Sequence, residues 1–448
     1  MRKLIIIFSL CIEVALAQNV KGNIFGFATS NTFTYCDITD TTFLNKVIAL
    51  QPKLLRFPGG AVGNFYHYGK KGYGFDFAEI DQYHDGKFPK RSRGLDNSRK
   101  KKNQQHDYIE DFIRLVKKTN SKAVLVANMF VDNDDVLLMI KKLIENNIEV
   151  VGVELGSELS NRSYFTKGYT IEEYIIAANK CSVKIKEKYP NIKTAIVAAP
   201  LGKRKGHRHN VWNEKLAKLN FYDAIIIHSY AKVTKGEDRY GQMISEEKEG
   251  KSNLEAFDIY KSRAIDYLVS QYPKEVNAYE GIFNKPVWIT EWNLQISRTT
   301  GNTLLQSLFV AQYFLELFSN PDLSAIELTT YHNLGGRDYG GSVFRNNKEV
   351  LEIQSTYYPL TLLGKIFDHN IARIEKKYFE EIFTYNCFDE NNKLIISYDV
   401  NWKMNHFRYS LEDSEDKEVF QIYGSNNLFD IPNLKGVIGI ETDLNIKY

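Results

Sequence analysis

The sequence predicts an α/β protein: a (β/α)8 TIM barrel followed by a small C-terminal β-sandwich. Three observations carry that reading. Eight short apolar runs recur between residue 23 and about residue 369. Amphipathic helical segments separate most of them. From about residue 370 the pattern changes to short strands set apart by turn residues. A chain of 448 residues is long enough for one large domain and a smaller one.

The eight strand candidates are NIFGFAT, KLLRFPGG, KAVLVANM, VVGVELGSE, TAIVAAP, DAIIIHSY, PVWITEW and AIELTTYHN. They are mostly continuous apolar runs, as expected of strands buried on both faces. TFLNKVIALQP follows the first, HDYIEDFIRLVKKT the second and DDVLLMIKKLIENN the third. TIEEYIIAANKCSVKIKEKYP follows the fourth, with Thr170 and Glu173 spaced as a capping box. NLEAFDIYKSRAIDYLVSQY precedes the seventh run and NTLLQSLFVAQYFLELF follows it. Strand alternating with helix in this way closes into a (β/α)8 barrel. A doubly wound open sheet is the alternative, but no G-x-G-x-x-G phosphate loop follows the first strand. Beyond residue 370, FTYNCF, KLIISYDV, FRYSLED, EVFQIYG and GVIGIE read as strands, with DENN and SNN as turns. No linker rich in Pro, Gly or Ser sets this part off, so a cover packed on the barrel is expected rather than a separate sugar-binding module.

Residues 1–17 read as a signal peptide. Arg2 and Lys3 precede an apolar stretch, and Ala15-Leu16-Ala17 offers an A-x-A cleavage site. The expected domains are therefore 18–369 for the barrel and 370–448 for the sandwich, in a secreted or periplasmic protein. Neither this segment nor any later one is long and apolar enough to span a bilayer well. A lipid anchor at Cys11 lacks small residues beside the Cys. Cys36, Cys181 and Cys387 are too few and too far apart for a disulfide framework. No CxxC or HExxH motif occurs, so neither a metal nor another cofactor is expected. A net charge of +3 excludes a strongly basic whole-chain nucleic-acid binder, and no nucleic-acid fold signature is present.

In this barrel class, active-site residues sit at the C-terminal ends of the strands. Those ends carry Arg56 and Asn64 after the second strand and Asn128 after the third. They carry Ser157 and Glu158 after the fourth, and His228 and Tyr230 at the sixth. The seventh adds Glu291 and Trp292, and the eighth His332. Two carboxylates stand out: Glu158 in VELGSE and Glu291 in WITEW. Two carboxylates across a barrel mouth are what glycoside hydrolysis needs. Arg56, alone in an apolar strand, is placed to keep one of them ionised. Tyr230 is placed to donate to the same group. The bland readings are an ion pair between Glu291 and Arg56, a structural Glu154 lying deeper than Glu158 on the same strand face, and a core Trp292. The alternative for Trp292 is a sugar platform. Asn64, Tyr66, His67, Tyr331 and His332 fit either a site or a core role.

LRFPGG, VELGSE and WITEW together resemble the clan A retaining glycoside hydrolases. The likeness is greatest to arabinofuranosidase-like and heparanase/β-glucuronidase-like branches, with some similarity to iduronidase- and xylosidase-type enzymes. It covers about residues 23 to 369. The resemblance implies that Glu158 is the acid/base, Glu291 the nucleophile, and a polysaccharide or oligosaccharide the substrate. One departure stands in the motif: the resembled pattern is Gly-Asn-Glu, with the Asn on the sugar 2-hydroxyl, whereas this chain has Gly156-Ser157-Glu158. Serine reaches less far. Either the substrate differs there, Asn128 or Asn161 compensates, or turnover is weak. A degenerate barrel that binds carbohydrate without cleaving it is the alternative function.

Two loops on the same face are basic. Between Gly69 and His106 there are ten Lys/Arg against five Asp/Glu, and LGKRKGHRHN has no acid. They read either as solvated loops or as a rim for an anionic glycan, uronate-bearing or sulfated.

Overall fold

The computed structural model describes residues 21–438, apart from 133, 203, 205, 238–242, 246–251, 296–298, 413–417 and 425–430. The segment read as a signal peptide, residues 1–17, lies outside the described residues.

Eight parallel strands close into a barrel: β1 Gly26–Ala28, β2 Leu54–Phe57, β3 Lys122–Val126, β4 Val150–Leu155, β5 Lys193–Val197, β6 Ala224–Ala231, β7 Val287–Leu294 and β8 Ile326–Tyr331. Each pairs with the next, and β8 closes on β1 through Gly26 opposite Thr330 and Phe27 opposite Tyr331. Each of the eight strands coincides with one of the runs read from the sequence, though β5 begins one residue before its run and β6 and β7 end one and two residues past theirs. Their apolar side chains pack inward on one another and outward on the helices, as the lack of alternation foretells.

The covering helices are α1 Thr41–Leu50, α2 Tyr108–Thr119, α3 Asp135–Glu145, α4 Ile171–Lys188, α5 Arg208–Leu216, α6 Asn253–Asp266, α7 Leu304–Ser319 and α8 Tyr357–Gly364. α6 runs on through a π-helical turn, Tyr267–Gln271, into a further helix, Tyr272–Phe283. Pro273 has no N–H to donate one turn back, which accounts for the change of pitch just before it. The capping box at Thr170 forms, with Glu173 reaching back to the Thr170 N–H at 2.8 Å.

Two segments read as loops contain helices. The stretch after β2 holds Phe77–Tyr83 and Phe88–Lys101, and LGKRKGHRHN runs into α5. In the helix Phe88–Lys101 the buried positions are Phe88, Ser92, Leu95 and Arg99. The spacing is helical, but only two of the four are apolar, so the charge hides the pattern.

The C-terminal domain is a six-stranded antiparallel sheet, β9 Arg373–Phe379, β10 Ile382–Phe388, β11 Leu394–Asn401, β12 His406–Leu411, β13 Glu418–Tyr423 and β14 Asn433–Ile438, paired in sequence order. Phe383, Tyr385 and Cys387 of β10 alternate onto the buried face. That face meets α7. Glu316 of α7 accepts from Tyr385 Oη and Lys376 Nζ, each at 2.6 Å, and Gln312 accepts from Trp402 Nε1 at 2.5 Å. Among the described residues no helix is long and apolar enough to cross a membrane.

Candidate active site

β2, β4, β6 and β7 bring one polar network into the barrel mouth. Arg56 is fully buried on β2. Its Nε and Nη2 donate to the two oxygens of Glu154 at 2.6 and 2.8 Å, and its Nη1 donates to Glu291 Oε1 at 2.8 Å. A fork of fixed geometry can hold two carboxylates at once, which lysine cannot do. Thr290 Oγ1 adds a bond to Glu154 at 3.0 Å. Glu154 is thus spent deep in the barrel.

Glu291 is 7% exposed along its side chain. Tyr230 Oη donates to its Oε2 at 2.8 Å, His228 Nδ1 stands 3.6 Å away, and His332 Nε2 4.0 Å away. Burial pushes the Glu291 carboxyl up, but His228, His332 and Arg56 outweigh it and hold the group well below the usual carboxylate range. The anion is therefore the standing form. Burial, reinforced by the Glu291 charge, drives the Tyr230 phenol well above its ordinary value, so it stays a donor. Gly60 lies beside this group at φ +60°, and a Cβ there would come within 3.3 Å of Glu291 Oε1. Glycine leaves the carboxylate unobstructed on that side.

Glu158 stands differently. Its side chain is 45% exposed. After β4 the chain leaves the barrel through Gly156 at φ +88° and Glu158 at φ +52°. A Cβ on Gly156 would meet Leu159 Cδ1 at 2.3 Å, so the turn requires glycine. Asn64 clamps the turn: its amide donates to Ser157 O at 2.7 Å and accepts from Ser157 N at 2.8 Å. Asn161 Nδ2 donates to Glu158 Oε2 at 2.7 Å, and His228 Nδ1 sits 2.9 Å from Oε1. For His228, burial lowers the pKa but Glu291 and Glu158 together raise it above its ordinary value. One donor or acceptor atom each from Glu158, His228 and Glu291 lies within 4.8 Å of the others. Two carboxylates and an imidazole are also a ligand set for a divalent ion. Here the Arg56 guanidinium already neutralises Glu291 and opposes a cation. A cavity of about 1000 Å³ opens beside Glu158, Asn161, His228 and Tyr230, and runs between β5, β6 and the helical segment from Arg263 to Tyr279.

Four of the sequence's candidates are not on the cavity wall. Trp292 is fully buried on the outer side of β7 and stacks on Tyr313 of α7, centroids 3.8 Å apart and planes 7° apart. It is core, not a sugar platform, because strand residues alternate and Glu291 takes the inner side. The Asn64 amide is used up on the Ser157 backbone and on Tyr164 Oη. Asn128 donates to Glu79 at 2.8 Å and accepts from Phe130 N, in a neighbouring cluster with His67. Ser157 is fully buried, and its Oγ accepts from Arg56 Nη2 at 3.3 Å. Asn161, which the sequence offered only as a substitute for the missing Asn, is on the cavity wall. Thr290 and Glu154 complete the network from below.

The fold is shared with solved arabinofuranosidase structures. An α-L-arabinofuranosidase from Thermotoga maritima, solved with arabinose, superposes with TM-score 0.56 over 97% of this chain and 96% of that one, at 14% identity. A family 51 arabinofuranosidase from Xanthomonas axonopodis pv. citri gives 0.59 over 96% and 93%, at 10% identity. A family 51 α-L-arabinofuranosidase from Bifidobacterium longum gives 0.59 over 94% and 91%, at 11% identity. No family model and no curated protein matches the chain. At such identities the shared feature is the architecture: a barrel with its C-terminal β domain.

Proposed function

We propose that the protein is a retaining glycoside hydrolase that cleaves O-glycosidic bonds of a polysaccharide or oligosaccharide by double displacement. The observation that carries this is the carboxylate pair, with oxygens within 4.8 Å of each other across the barrel mouth. Retaining enzymes hold the two groups about 5–5.5 Å apart, and inverting enzymes leave several ångströms more for a water.

The surroundings support one division of roles. Glu291, buried and held as an anion by Arg56 and the two histidines, attacks the anomeric carbon. Glu158, open to the cavity, protonates the leaving oxygen as that bond breaks. The glycosyl group then rests as an ester on Glu291. In the second half Glu158, now a carboxylate, takes a proton from water while the water oxygen attacks the anomeric carbon and frees Glu291. Asn64 and Asn161 position Glu158, and Tyr230 orients Glu291. The likeness of fold to the arabinofuranosidases and the motif resemblance support the same reading. The apolar N-terminal segment supports export.

The test is a screen of the purified mature chain against aryl glycosides and neutral, uronate-bearing and sulfated polysaccharides, with Glu291→Gln alongside. Turnover by the parent alone, with the first-formed product keeping its anomeric configuration by NMR, is the expected result. Binding without turnover in both would instead favour the degenerate carbohydrate-binding barrel, a reading to which the buried Ser157 contributes.

A further inference from the structure

We propose that the leaving group of the substrate is an uncharged, hydroxyl-rich sugar, and that Glu275, on a helix outside the barrel, is the residue that selects it. The proposal rests on the retaining reading with Glu158 as acid/base, because that role places the leaving oxygen beside Glu158.

The helix that runs from Asn253 to Phe283 carries a stripe. Arg263, Tyr267, Gln271, Glu275 and Tyr279 stand four residues apart, and all five line the cavity. A regular α-helix would not keep them together. Four residues turn about 400°, so such a stripe winds about 40° further at each step and about 160° by the fifth residue. The π-helical turn Tyr267–Gln271 corrects this, because the Tyr272 N–H bonds to Tyr267 O, five residues back rather than four. The extra residue in that turn gives back about 100°, and the stripe stays on the cavity side. Glu158, Ser160 and Asn161 are on the wall of the same cavity, whereas Glu291 is not. The stripe therefore lies on the leaving-group side. The cavity, about 1000 Å³, is at the top of the range of about 300–1,000 Å³ usual for small-molecule sites.

Most polar groups of the stripe have partners in the protein. Tyr267 Oη is bonded to Ser229 Oγ, Tyr279 Oη donates to Ala199 O at 3.0 Å, and Arg263 Nη1 donates to Val233 O at 2.9 Å. Gln271 Nε2 donates to Asp266 at 2.5 Å, which leaves its carbonyl oxygen. Glu275 is the exception. Among the described residues its carboxylate accepts no hydrogen bond and forms no ion pair. Burial pushes its pKa up, and the charge of Lys232, also on the cavity wall, opposes that only in part. A half-buried carboxylate without donors is costly, and the hydroxyls of a bound sugar would supply them. A carboxylate only accepts and an ammonium only donates, so a group that meets Glu275 and Lys232 has to do both. Sugar hydroxyls do both without charge. An anionic leaving group would be set against Glu275, and a cationic one against Lys232 and Arg263. The basic stretch after β2 is spent on the protein itself. Arg93 pairs with Asp81, Arg99 and Lys100 share Asp96, and Lys102 Nζ donates to the carbonyls of Thr34 and Tyr35.

The experiment uses the 4-methylumbelliferyl glycoside identified in the screen as donor, with D-glucose, D-xylose, D-glucuronate and D-glucosamine as acceptors, and measures transfer against hydrolysis. An acceptor hydroxyl then takes the place of water: its oxygen bonds to the anomeric carbon, the ester bond to Glu291 breaks, and Glu158 takes the proton. The expected result is transfer to a neutral sugar about tenfold above transfer to glucuronate or glucosamine. Glu275→Ala should lower the transfer-to-hydrolysis ratio for the neutral sugar about tenfold. Glu275→Gln, which keeps the shape if alanine folds poorly, should lower transfer to the neutral sugar and raise transfer to glucuronate. A residue with a merely structural role would not change the charge preference. Release of methylumbelliferone with no transfer to any acceptor, transfer indifferent to charge, or a ratio unchanged in both variants overturns the subsite and leaves the hydrolase standing. No release by the parent, or equal release by Glu291→Gln, overturns the hydrolase reading and the subsite with it.

Discussion

Glu291 and Glu158 end two strands of one barrel, yet one is 7% exposed along its side chain and the other 45%. Three cationic or cation-forming side chains face Glu291, and a phenol donates to it. Glu158 has one imidazole and one amide, and an open cavity beside it. On the proposed retaining mechanism that difference separates two duties: the carboxylate surrounded by fixed positive charge stays an anion and attacks, and the one beside the open cavity serves as acid and then base.

Removing the anion itself should have the largest effect. Glu291→Gln is expected to lower kcat on the order of 10⁴-fold or more, read as single-turnover hydrolysis of an aryl glycoside. Next is the charge that holds it. Arg56→Gln leaves Glu154 and Glu291 buried without their cation, a loss of about 3–5 kcal/mol of stability in denaturant unfolding. A midpoint unchanged in that variant would break the account of Glu291. Glu158→Gln should lower kcat by roughly 10²–10⁴-fold on substrates with a poor leaving group. The loss should be far smaller on an activated aryl glycoside, which needs no proton to depart. Equal losses on both would remove the acid role. Acid titration sharpens the contrast further. The Glu291 carboxyl has a lower pKa folded than unfolded, so its anion contributes stability above the unfolded value of about 4.3 and loses it as pH falls through the folded one. Relative to Glu291→Gln, the parent should therefore lose stability below about pH 4 in unfolding curves. The smallest effect is Tyr230→Phe, which removes one bond to Glu291 and is expected to slow turnover about tenfold.

The barrel was legible because strands buried on both faces cannot alternate, and eight such runs recur at helical intervals. The carboxylate pair was legible because charge at the end of an apolar strand has to be explained. Trp292 was misplaced although the rule that places it was at hand: a residue next to an inward Glu291 points out. The partners of Asn64 and Asn128 were not readable, since nothing local to them says which distant backbone or carboxylate their amides will meet. The helix Phe88–Lys101 hid behind its charge. Its buried stripe includes a serine and an arginine, and Arg99 is satisfied by Asp96 and the Gln104 carbonyl rather than by apolar contact.

All sixteen residues of α7 are buried. One side carries Tyr313, flat against the Trp292 that follows Glu291, and the other carries Glu316 and Gln312, bound to the C-terminal sheet. The strand bearing Glu291 is thus braced from outside by a domain that never touches the reacting atoms. A chain ended near residue 369 would expose this apolar helix and take from Glu316, in its last turn, the partners Tyr385 and Lys376. Any lineage that shed this domain would have had to rewrite α7 first.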